Sequence, residues 1–82
     1  MSDEPKNYDL YLFNDDKNTE SYVVQSLIHI MDHTPDLAAK LMGDAHKKGK
    51  VLIDTCEKNL AIEKRDLLIS FGLIAHVCKS EV

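Results

Sequence analysis

The sequence has no tryptophan, two cysteines, two prolines and three glycines among 82 residues. Each shortage closes a class. So little proline and glycine, beside 44% apolar and 29% charged residues, argues against a disordered chain, and no repeat, linker or low-complexity tract stands out. Cys56 and Cys78 lie far from any CxxC spacing and suggest neither redox nor zinc chemistry. Reduced thiols are expected, with a bridge between the two as the alternative. No apolar run exceeds four residues, too short for a membrane-spanning helix. The opening MSDEPKNYD is polar and acidic, unlike a secretory signal or a transit peptide. Basic residues are in deficit: ten Lys and Arg against fourteen Asp and Glu give a net charge of -4. That balance disfavours a phosphate backbone or an anionic membrane as partner. Tyr8, Tyr11 and Phe13 therefore lack the basic groove that would make them a stacking platform for single-stranded nucleic acid.

What is present suffices for one small domain. At this length, area scaling gives roughly 5,000 Å² of folded surface against about 13,500 Å² unfolded. That allows one modest core and no large catalytic cleft. Residues 1–7 read as a short polar leader and 8–79 as a single domain.

Tyr8–Phe13, YDLYLF, puts Tyr8, Leu10 and Leu12 on one face and Asp9, Tyr11 and Phe13 on the other, the pattern of a strand. Residues 14–18 form a polar turn, and Asn18 or Thr19 is suited to cap the helix that follows. There Val23, Leu27, Ile30 and Met31 recur at helical spacing, with Glu20, Ser21 and Gln25 on the wet side. Thr34-Pro35-Asp36 starts a second helix: a cap, a proline at the first position, and a carboxylate at the positive end of the dipole. Leu37, Ala38, Leu41, Met42 and Ala45 are its stripe, Asp44 and Lys48 are a supporting pair, and Gly49 is the stop. Lys50–Cys56 is a β-rich segment. Residues 57–71 are a third helix with Leu60, Lys64, Leu67, Leu68 and Phe71 at its spacing, Gly72 stops it, and Leu73–Cys78 is the last strand. The order β-α-α-β-α-β predicts an α+β fold of two layers, three strands against three helices. The pattern alone does not fix the strand order.

Leu12-Phe13-Asn14-Asp15-Asp16, then Tyr22-Val23-Val24 and Leu27, then Ala38-Ala39, Leu41-Met42, Ala45-His46 and Lys48-Gly49-Lys50, together resemble the ClpS adaptor family. The resemblance runs from Tyr8 to Cys78 and joins an Asn-Asp-Asp turn to a His-x-x-Gly helix end. It implies a three-stranded antiparallel sheet with the helices on one side. It also implies a non-enzymatic adaptor that binds the free amino-terminal residue of N-degron substrates and delivers them to a Clp AAA+ unfoldase–protease. By match, Asn14, Asp15 and His46 hold the α-amine and first peptide unit, while Asp16 orients the turn or bonds the peptide backbone. Asn18 stands where a threonine is common and still bonds. The bound side chain enters an apolar pocket matched by Val23, Met42 and Ala45, with His76 near the wall supplied by the last strand. The chemistry is coherent, since an ammonium has three donors and a charge and calls for a carboxylate and fixed neutral acceptors.

The departures carry expectations too. Thr19 replaces a usual proline, and Glu20 replaces an apolar gatekeeper, generally methionine, at the pocket. A carboxylate there makes covering it with a plain aliphatic guest unfavourable, so altered specificity, with more tolerance for polar or basic first residues, is expected. The docking segment reads Asn59-Leu60-Ala61-Ile62-Glu63-Lys64. It keeps Ala61 and Lys64 but loses acidic and hydroxyl residues, so docking through Asn59, Glu63 and Lys64 is expected to be weaker or directed to another partner. The short leader is expected to limit delivery. The implied partner is the amino-terminal domain of a ClpA- or ClpC-like unfoldase, with no cofactor and no metal. The chain is expected to be a monomer in the cytoplasm or in a stroma-like organelle compartment.

Other readings compete. A regulatory or inhibitory Clp-interaction protein of the same fold accommodates the losses at Glu20 and residues 59–63. A domain like the carboxyl-terminal part of the ribosomal stalk protein has a similar layout, but its basic, glycine-bearing helix is absent. An enzyme finds no support: no nucleophile–base set stands out. His29 and His33, four apart, lack a third ligand for zinc and read as helix-surface histidines.

Overall fold

The computed structural model describes residues 7–80. Its elements follow the predicted order: β1 (Asn7–Phe13), α1 (Glu20–Met31), α2 (Pro35–Lys48), β2 (Lys50–Glu57), α3 (Lys58–Ser70) and β3 (Ala75–Lys79). The strand order, open in the sequence, is β2-β1-β3, antiparallel on both sides of β1. The three helices form the second layer.

β1 is central because its alternation serves one buried face. Leu10 is 0% and Leu12 2% exposed, and they meet Val23 and Leu27 of α1, Ala38 and Ala45 of α2, and Leu68 of α3. Ile53 of β2 is left without a partner between Tyr11↔Leu52 and Leu10↔Asp54. This β-bulge carries a side chain that joins the core.

Several boundaries shift from expectation. Asn7, placed in the leader by the sequence, belongs to β1, and the rest of the predicted leader, residues 1–6, lies outside the described residues. Thr19, not Asn18, caps α1, its hydroxyl accepting from Tyr22 N at 3.1 Å. Thr34 caps α2 by accepting from Leu37 N at 3.2 Å. β2 runs one residue further than predicted, so Glu57 is its last residue and the N-cap of α3, which starts at Lys58. β3 begins at Ala75 rather than Leu73, because the end of α3 uses Leu73 N, which donates to Leu68 O at 3.0 Å. Asp44 pairs with Lys40 at 3.1 Å, not with Lys48.

Cys56 and Cys78 are both free. They sit opposite Tyr8 and Asp9 on the two strands that flank β1. Two inter-strand spacings of about 4.8 Å separate those strands, beyond the Cα reach of a disulfide.

His33 departs from the helix-surface role expected of it. α1 stops at Met31, and Asp32 turns the chain with φ 59, a left-handed conformation that aspartate tolerates better than most residues. The His33 ring is partly buried, and its Nδ1 has no hydrogen-bond partner. Burial lowers its pKa, the Asp54 carboxylate opposes that, and Lys64 adds to it. Lys64 Nζ and Asp54 Oδ2 are themselves 2.6 Å apart. A lowered folded-state value means that the folded protein binds fewer protons than the unfolded chain. The stability gained by keeping this ring neutral is complete above the unfolded value of about 6.5. It is lost as the pH falls from there through the folded value. His33→Gln should therefore flatten the decline in urea midpoint between about pH 7 and about pH 5, measured against the parent chain.

Candidate functional site

Backbone bonds draw the end of α2 against the turn that follows β1. Phe13 pairs with Lys50 at the end of the ladder. Asn14 N donates to Gly49 O at 2.8 Å, and Gly49 N donates to Ala45 O at 2.8 Å. Gly49 has φ 92, a reversal that a residue with a Cβ would make only under strain. His46, one helical turn before Gly49, is thus brought to the same concavity as Asn14 and Asp15.

The turn is held from within. Asp15 Oδ1 accepts from Lys17 N at 2.7 Å, and Oδ2 accepts from the Asn18 side-chain amide. The hydrogen bond from Lys17 N lowers the Asp15 pKa, burial opposes it, and the Asn18 hydrogen bonds add to the lowering. The group is therefore a carboxylate at neutral pH. Its two oxygens offer about four lone-pair sites in all, so these two donors leave room for a guest. Asn18 also donates to Gly72 O at 2.9 Å, while Tyr22 Oη donates to Phe71 O. These two bonds tie the turn and α1 to the corner between α3 and β3.

Around this turn lies a concavity of about 370 Å³, counting the solvent-open space at its mouth. Leu12, Val23, Ala45 and Leu73 are its buried apolar lining, and Met42 is half-buried. Asn14, Asp15, Asn18 and His46 supply its polar atoms, and Glu20, the exposed first residue of α1, lies on its rim. No lysine or arginine is among its lining residues.

The remaining residues singled out in the sequence lie elsewhere. Asp16 is exposed on the turn, outside the lining. His76 also lies outside it: Ala75 is buried and Val77 packs on the core, so alternation turns His76 to the other face of the sheet. There it packs against Phe13, ring centroids 4.7 Å apart, and Phe13 itself lines the concavity. Asn59, Glu63 and Lys64 are on α3, away from the site, and the Lys64 ammonium is engaged by Asp54. Three lining residues were not singled out for the site. Leu12 and Phe13 were legible as the strand end preceding Asn14. Leu73 was not, since nothing local links it to a turn so distant in sequence. Among the described residues no group of three His, Cys, Asp or Glu is placed to hold a metal ion.

With carboxylate, amide and imidazole side chains beside an apolar hollow, the site can hold a cation attached to an apolar group. Known proteins share this frame. A ClpS adapter protein of Acetivibrio thermocellus is 36% identical over 61 residues, covering 74% of this chain and 62% of its own. One from Clostridium acetobutylicum is 38% identical over 47 residues, 57% of this chain and 46% of its own. The chain thus spans less than two thirds of the length of either relative. The solved structure of Agrobacterium tumefaciens ClpS2 bound to L-phenylalaninamide has the same fold, with a TM-score of 0.84 at 24% identity over 94% of this chain and 100% of that one. The family model described as ATP-dependent Clp protease adaptor protein ClpS matches residues 3–75, and on that match the chain belongs to the ClpS family.

Proposed function

We propose that the chain is a non-enzymatic adaptor that binds the free amino-terminal residue of N-degron substrates and delivers them to a Clp unfoldase–protease in the cytoplasm. One observation carries this reading: Asp15, Asn14 and His46, from a turn and a distant helix end, border one apolar hollow. The carboxylate and neutral acceptors suit an α-ammonium, and Leu12, Val23 and Met42 suit the side chain attached to it. A turn already tied down by Asn18 loses little freedom on binding. The ligand of the Agrobacterium tumefaciens protein, L-phenylalaninamide, has this form, a free α-amine beside an aromatic side chain. Recruitment would act through effective concentration at the unfoldase, with no bond broken by the adaptor.

The test is a panel of short peptides differing only in the first residue, each paired with its acetylated form. Binding that disappears on acetylation supports the amine site, and indifference to acetylation refutes it.

A second reading, a regulator of the Clp system that docks without full delivery, is favoured by the Asp54–Lys64 contact. It engages an ammonium that the family resemblance assigns to docking. Degradation of a free-amine substrate by a Clp unfoldase–protease separates the two. Acceleration of that degradation by the chain favours the adaptor, and capture by the amino-terminal domain of a ClpA- or ClpC-like unfoldase without acceleration favours the regulator.

A further inference from the structure

Two carboxylates border the concavity, and their attachments differ. Asp15 is bound into its turn by Lys17 N and the Asn18 amide. Glu20 is exposed at the start of α1 and takes no part in the ion pairs among the described residues, which are Lys40–Asp44, Lys64–Asp54 and Arg65–Asp66. No lysine or arginine lines the hollow to neutralise it. Val23, three residues further along α1 and therefore on the same helix face, is buried. Leu73 is buried as well, and Met42 is half-buried. The hollow thus changes character with depth, apolar at its floor and anionic at its rim.

We infer that this site selects a first residue with a long aliphatic stem and a cationic head, lysine or arginine, an inference that rests on the amine-binding reading above. Asp15 receives the α-ammonium and Glu20 the side-chain head. Such side chains bury their methylenes against apolar surface while the charge stays near water, and the gradient from Val23 to Glu20 offers both. Arginine has the further advantage of a planar fork that meets a carboxylate with two parallel hydrogen bonds. A leucine or phenylalanine guest must cover or push aside the Glu20 carboxylate, removing water from it without supplying a donor. One group therefore attracts one class and penalises the other. That makes Glu20 the residue that sets specificity.

The experiment uses the full chain and labelled short peptides beginning with Arg, Lys, Leu or Phe, free and acetylated, read by fluorescence anisotropy. Arg and Lys peptides are expected to bind roughly two- to five-fold tighter than Leu and Phe peptides, the range for an exposed ion pair. The preference should shrink as salt is added. In Glu20→Gln the ratio should fall to near parity, and in Glu20→Met it should turn toward Leu and Phe. Because Glu20 is exposed on the first turn of α1, both variants should keep the parent melting profile. Leu or Phe binding as tightly as Arg in the parent chain overturns the inference, and so does an Arg preference that survives Glu20→Gln. In either case acetylation-sensitive binding leaves the amine site standing. If no free-amine peptide binds, both readings fall.

Discussion

Asp15→Asn is expected to weaken binding of peptides with a free amino terminus by about 10- to 100-fold. A hydrogen bond to a charged group contributes about 1.5–3 kcal/mol, and each 1.4 kcal/mol is a factor of ten. The substitution keeps the side chain's size but removes the charge that faces the α-ammonium. It also turns one acceptor into a donor, so the bonds from Lys17 N and the Asn18 amide cannot both persist. Part of the loss could therefore come from a loosened turn rather than from the missing charge. Salt separates the two, since the Coulombic part of the parent's affinity is screened as ionic strength rises. The gap between parent and variant should narrow in high salt. A gap that salt leaves unchanged would point to the turn, and parent-like affinity in Asp15→Asn would remove Asp15 from the amine site.

Leu10→Ala is expected to destabilise the fold by about 2–5 kcal/mol, through lost burial and a cavity that the sheet cannot close. Leu10 is 0% exposed and sits on the central strand, paired to Asp54 on one side and Val77 on the other. A domain of this size has roughly 4–12 kcal/mol of total stability, so one side chain accounts for a large share. Leu67→Ala is the matched control. Leu67 is 44% exposed on α3, and substitutions at such surface positions usually stay within about 0.5 kcal/mol. Urea unfolding of the two variants beside the parent reads the difference, and equal midpoints would contradict the placement of the core.

The site was only partly legible in the sequence, for reasons that can be named residue by residue. Asn14, Asp15 and Asn18 form a polar cluster between two periodic segments, and such a cluster announces a turn. His46 gained a role only through the family resemblance, because a histidine before a helix-stopping glycine is unremarkable by itself. The strand pattern of residues 73–78 marked Leu73 and His76 alike as strand residues. Which of them faced the hollow depended on where α3 ended and therefore on where the alternation began. His33 was misread because its spacing from His29 fits a helix that in fact stops at Met31. Lys64 was read as available for a partner, although Asp54 engages it across ten residues of chain.

By itself the sequence determined what depends on neighbours along the chain. The two-residue period of β1, the helical stripes, the Thr34-Pro35 start and the Gly49 and Gly72 stops are short-range physics, and they specified an α+β chain in the order β-α-α-β-α-β. The acidic balance belongs to the same level, since charge needs only a count. Tertiary structure decided what depends on groups far apart in sequence: β1 at the centre of the sheet, the two cysteines on opposite strands, and Asn18 bonded to Gly72 across the α3–β3 corner. It also decided that Glu20 shares a hollow with Asp15, His46 and Leu73. No local preference selects among such long-range contacts. They are set by burying the leucines and alanines of both layers at once, and the geometry of the hollow follows from that packing.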